Sequence, residues 1–129
     1  MKNHHSPFSQ ETILSADPQA EHFTEERCFI LELASSPADE ALSLARARVE
    51  RGVTTALHRL NGVAERYVIL EGQGCVEVGS LPPRDVSPGD VVLIPPGVSQ
   101  RISNTGAGEL VFLCICTPPF RPECYEDLE

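Results

Sequence analysis

His58 is the only histidine beyond residue 22, and Glu65 follows it seven positions later. An imidazole and a carboxyl brought together can trade protons near neutral pH, which is the basis of general acid–base catalysis. The same two groups can also do no more than satisfy each other as a buried polar pair. Tyr67 stands two residues after Glu65. On an extended chain it shares that residue's face, so its phenol can meet a ligand or fill a core. Gln100 offers a neutral amide oxygen. Cys114 and Cys116 also share one strand face, where thiols serve either as ligands or as small buried hydrophobes. Arg46, Arg48, Arg59 and Arg101 read as outward-facing or interface residues, one of which could meet an acidic substrate. His4 and His5 read as surface residues.

These groups need elements to carry them, and the periodicity from Arg27 onward is two. Cys28–Leu33 is a short apolar strand. Residues 43–50 alternate Ala45, Ala47 and Val49 against Arg46, Arg48 and Glu50, which favours strand over the helix that their propensities would allow. Thr54 to Leu60 runs into Asn61-Gly62, a hairpin signal, and Glu65 to Leu70 is the expected return strand. That hairpin would set His58 and Glu65 side by side. Cys75–Val78 follows. Val91–Ile94 reads as a fully buried strand, Gln100–Ser103 as a brief one and Leu110–Cys116 as the last strong one. Gly52, Gly72, Gly89, Pro95, Gly97 and Asn104 read as turn formers. Seven or more short strands with regular turn signals mean an all-β sandwich or barrel. With no Trp in the chain, an immunoglobulin-like sandwich is disfavoured.

Two spaced patterns sharpen this. Gly52, His58, Leu60, Glu65 and Gly72 form the first; Gly89, Pro95, Gly97, Gln100 and Asn104 form the second. Over about residues 42–116 the chain resembles the cupin family. The resemblance implies a single jelly-roll β-barrel. In metal-binding members, two histidines and a glutamate of the first motif and a histidine of the second surround one divalent ion. Carried across, His58 and Glu65 match their counterparts, while Leu60 and Gln100 replace histidines. The implied metal set is therefore His58, Glu65 and Gln100, able to hold a borderline or hard ion (Zn, Mn, Fe, Ni or Co) completed by water. The resemblance also implies a homodimer, expected through the Cys28–Leu33 strand and the tail.

Three functions follow as expectations. One is a metal-dependent enzyme of dioxygenase, sugar isomerase or decarboxylase type, with Glu65 or Tyr67 handling protons. Another is a metal-free module binding or sensing a small molecule. The last is a metal-free isomerase using His58 and Glu65. The fold alone cannot choose among them.

Composition bounds the rest. In 129 residues, 19 Asp and Glu against 10 Lys and Arg give a net charge of -9. So acidic a chain is ill suited to nucleic acid. Its longest apolar run, Leu110 to Cys116, is too short to span a bilayer. Five cysteines without an export signal suggest reduced thiols and a cytoplasmic setting. The expected layout is an N-terminal extension over 1–25, a barrel over 26–117 and a Pro-rich tail over 118–129, lying extended with Phe120 and Tyr125 as pegs.

Overall fold

A computed structural model describes residues 8–129; His4 and His5 lie outside the described residues. Eleven strands run in chain order: β1 His22–Phe23, β2 Phe29–Ala34, β3 Ser43–Val49, β4 His58–Leu60, β5 Ala64–Glu71, β6 Gly74–Val78, β7 Arg84–Val86, β8 Val91–Ile94, β9 Gln100–Asn104, β10 Leu110–Thr117 and β11 Tyr125–Asp127. They form a six-stranded sheet, ordered β1-β2-β3-β10-β5-β8, and a five-stranded sheet, ordered β11-β4-β9-β6-β7. Every paired neighbour is antiparallel. The result is the all-β barrel of jelly-roll type. No helix among the described residues is long and apolar enough to cross a membrane.

The alternation read along residues 43–50 is real. Ala47 and Val49 are buried, and Arg46 and Arg48 point outward into ion pairs with Glu21. The inner faces of the two sheets meet in a core where Val49, Ile69, Ile102, Leu110 and Phe112 are at most 1% exposed. Burying each such side chain stabilises the fold by about 1.5–3 kcal/mol. The glycine at position 72 is required: its φ is 87°, and a Cβ there would lie 2.3 Å from the Glu109 carbonyl oxygen. Asn104 also acts through the backbone. Its amide donates to the carbonyls of Val49 and Gly108, and its oxygen accepts from the Gly106 N–H.

Three expectations about the strands are corrected. Asn61-Gly62 does not close a hairpin. β4 pairs with β9 and β11, whereas β5 pairs with β10 and β8, so the turn carries the chain from one sheet to the other. The C-terminal tail takes the place a return strand would have held: Tyr125, Glu126 and Asp127 sit opposite Leu60, Arg59 and His58. The N–H of Asn61 donates to the Cys124 carbonyl at 2.8 Å. Second, β8 is an edge strand, not a fully buried one. Only Ile94 is buried, while Val91 is 56% and Leu93 69% exposed. Third, the proline-rich tail is not wholly extended, because a 3-10 turn begins at Pro122 and leads into β11. There the ring's fixed φ suits the first turn position.

Candidate active site

A cavity of about 430 Å³ lies between the sheets, within the ordinary size range of small-molecule sites. Both sheets, the segment 24–28 and the tail contribute to its walls.

His58 reaches it from β4 and is 3% exposed. Its Nδ1 lies 2.8 Å from the Ala56 carbonyl oxygen. A carbonyl can only accept, so Nδ1 carries a proton, and in that tautomer Nε2 is the nitrogen left to act as a base. Nε2 is 4.0 Å from a carboxyl oxygen of Glu26. The imidazole stacks on Tyr125, with centroids 4.9 Å apart and planes inclined by 20°. That contact depends on β11 lying beside β4.

Glu65 reaches the same cavity from the other sheet and is 8% exposed. Its register partner on β10 is Cys116, whose thiol donates to Oε2 at 3.6 Å. Oε1 has no hydrogen-bond partner. Burial pushes this carboxyl up to about 7. The negative charge of Glu26 adds to the rise, while His58, Gln100 and Cys116 oppose it less strongly.

Tyr67 follows on the same face of β5 and is 4% exposed. Its hydroxyl donates to Gln100 Oε1, and its ring lies 4.6 Å from that of Phe112. Burial holds the phenol well above its ordinary value, so it stays a neutral hydroxyl. Gln100 is fully buried and is the register partner of His58 across β4 and β9. It lies behind Tyr67 rather than on the cavity wall; its oxygen is engaged, and its Nε2 has no partner. Cys28, Cys114 and Cys116 all touch the cavity. Burial raises each thiol, Cys28 to about 12, which keeps them protonated and poor nucleophiles. The four arginines singled out in the sequence lie outside the cavity, in ion pairs with Glu21, Glu126 and Glu77.

Sequence reading missed two residues here. Glu26 belongs to a run of charges that reads as a solvated loop, yet it is drawn inward. The Ala56 N–H donates to its carbonyl at 3.1 Å. Next to it, Arg27 adopts a left-handed φ of 69°, held by a bond to the Thr54 carbonyl at 3.0 Å and by an ion pair with Glu129 at 2.7 Å. Burial raises the Glu26 carboxyl too, with His58 opposing. Tyr125 was expected only as a peg; its stacking on His58 depends on a strand pairing that no local pattern announces.

The donors present do not fit the divalent ion that the motif implies. Leu60 supplies nothing and packs with Val63 and Cys116. The Gln100 oxygen is already occupied by Tyr67. Among the described residues, no three His, Cys, Asp or Glu side chains converge as a ligand group.

Comparison with known proteins agrees with this architecture. Residues 45–116 match the family model of the cupin domain. The chain is 39% identical over 87 residues to the uncharacterized protein MJ1618 of Methanocaldococcus jannaschii, covering 67% of this chain and 69% of that one. Among solved structures it is similar to Streptomyces Pac13, described as a unique nucleoside dehydratase. The TM-score is 0.75 at 15% identity, over 92% of each chain. It is also similar to a predicted oxalate decarboxylase from Thermotoga maritima, with TM-score 0.68 and 26% identity over 81% of this chain and 93% of that one. The family match spans more than half of the sequence and takes in the strands that carry His58, Glu65, Tyr67 and Gln100: the chain belongs to the cupin family.

Proposed function

We propose that this cupin is an acid–base enzyme, of isomerase or dehydratase type, that works on a small molecule through His58 and Glu65. One observation carries the reading. A buried carboxyl whose Oε1 makes no hydrogen bond and an imidazole whose Nδ1 is held by a carbonyl face one cavity from opposite sheets, and burial pushes that carboxyl up to about 7. Two groups so placed can remove a proton on one side of a bound molecule and return one on the other. His58 Nε2 takes a proton from a carbon next to a carbonyl. Protonated Glu65 gives its proton to the departing hydroxyl, which leaves as water, or to the carbonyl oxygen, which yields the enol of an isomerisation. Tyr67 has spent its own proton on Gln100, so its oxygen accepts a hydrogen bond from the substrate and orients it. Pac13, similar in fold, is described as a nucleoside dehydratase and has been solved with uridine, which supports a substrate of that size. Two copies pair in this reading. The expected surface, the Cys28–Leu33 strand and the tail, is engaged within the chain, where β2 lies between β1 and β3 and β11 pairs with β4; the open edge at β8, with Val91 and Leu93 exposed, is the surface this reading gives the second copy.

The test is solvent isotope exchange. Chelator-treated protein is incubated in deuterated water with uridine, other nucleosides, aldoses and their amino derivatives, and deuterium uptake at carbon is read by mass spectrometry. The reading expects uptake into one compound, abolished by His58→Gln and by Glu65→Gln. Uptake that survives both variants, or that needs added metal, would overturn it.

A further inference from the structure

The charge of the cavity wall narrows the substrate class, and this step rests on the reading just proposed. Four glutamates line the cavity, Glu25, Glu26, Glu32 and Glu65, together with His22 and His58. Among the described residues, no arginine lines the cavity. Arginines on the elements that form the wall are engaged elsewhere: Arg27 on Glu129, and Arg46 and Arg48 on Glu21. A phosphate or carboxylate entering here would lose its water and find no arginine to answer its charge. An acidic wall alone does not define a site, but here one acid is nine-tenths buried with an unanswered atom. Glu65 is 8% exposed, and its Oε1 has no partner in the protein. Glu26 faces inward as well, with His58 Nε2 4.0 Å from its carboxyl oxygen. The remaining wall is mainly apolar and aromatic, with Phe112, Tyr67 and Tyr125 among its residues beside the hydroxyls of Thr24, Ser43 and Thr55. Aromatic faces attract cations.

We propose that the cavity takes a small ammonium-bearing molecule, its cationic nitrogen held at Glu26 and its body lying between Tyr125 and Phe112. The ammonium group supplies the positive partner that the Glu26 carboxyl lacks. Glu26, on the pinned turn after β1, is the anchoring residue, which leaves Glu65 and His58 free for proton transfer. Substrates bearing a phosphate or a carboxylate are excluded by the same wall.

The experiment is calorimetric titration of the full chain with three probes of matched shape: benzylamine, benzyl alcohol and benzoate. The expected order is benzylamine tightest, by about ten-fold over the alcohol, with benzoate silent. Glu26→Gln keeps the shape of the turn and should erase the amine's advantage. Arg101→Gln, outside the cavity, should leave it in place. Benzoate binding as well as benzylamine, an advantage that persists in Glu26→Gln, or no binding by any probe at millimolar concentration would each overturn the inference. Amine binding without His58-dependent exchange would sink the acid–base reading and leave this one standing.

Discussion

The Cys116 thiol and the Glu65 carboxyl are register partners on β10 and β5, and the thiol donates to Oε2 at 3.6 Å. The cysteine therefore fixes one oxygen of the carboxyl and leaves the other unclaimed. Its bond also favours the ionised carboxylate, against the burial that raises it. Cys116→Ala should move the midpoint of the Glu65 titration upward, and Cys116→Ser should keep it near the parent value. A carboxyl-resolved NMR titration of each variant checks this. An unchanged midpoint in Cys116→Ala would deny the thiol any influence.

Glu65 also makes stability depend on pH. Its folded value, about 7, lies above the ordinary 4.5, so between those values the folded chain holds more protons than the unfolded one. This contribution is fully present below pH 4.5 and is lost as pH rises through 7. The difference approaches roughly 3 kcal/mol by pH 8. Glu65→Gln should remove that slope and be more stable than the parent at pH 8. Urea unfolding at pH 5 and pH 8 measures it.

Tyr67→Phe removes the hydroxyl that occupies Gln100 Oε1. Gln100 is fully buried and its Nε2 already lacks a partner, so the whole amide would then be orphaned. The expected cost is about 1–3 kcal/mol, seen as a lower urea midpoint with unchanged m-value. Tyr67→Phe combined with Gln100→Leu should recover part of that loss.

How far the site was legible shows in the same residues. His58, Glu65 and Tyr67 were found because motif spacing and strand alternation are local properties, and alternation places Glu65 and Tyr67 on one face. The strands that carry them were legible for that reason too. The partner of β4 was not. Asn61-Gly62 has hairpin chemistry, but which strand fills the edge of β4 depends on where a tail more than 60 residues away can reach. Tyr125 became visible only with that pairing. Glu26 was hidden because a charged loop reads as solvent-facing unless its backbone is known to be pinned. Val91–Ile94 looked buried from composition, since an apolar run does not say whether its strand lies at an edge.

The ligand set offers a gain-of-function prediction. Leu60 is buried beside the cavity, and Gln100 is the register partner of His58. Leu60→His together with Gln100→His would give the chain the imidazoles that its motifs lack. The double variant should take up about one equivalent of a divalent transition metal. The parent chain, loaded in the same way, should retain less than about a tenth of that. Elemental analysis after desalting decides, and equal retention by the two proteins would contradict the reading of the donor set.

Arg48 ties the N-terminal segment to the barrel. It pairs with Glu21 and Glu109 and lies 4.1 Å from the centre of the Phe29 ring. Arg48→Met keeps much of the packing and loses the charge. Cleavage between residues 8 and 23 should then accelerate several-fold in limited proteolysis, because local opening becomes easier. Mass spectrometry of the fragments reads it directly.

Glu65 is read as a buried acid poised near neutrality on the cavity that His58 also faces. A side-chain carboxyl NMR titration, with Glu65→Gln used to assign the resonance, tests this most directly. A midpoint near 7 is the predicted result. A midpoint at the ordinary carboxylate value near 4.5 would contradict it.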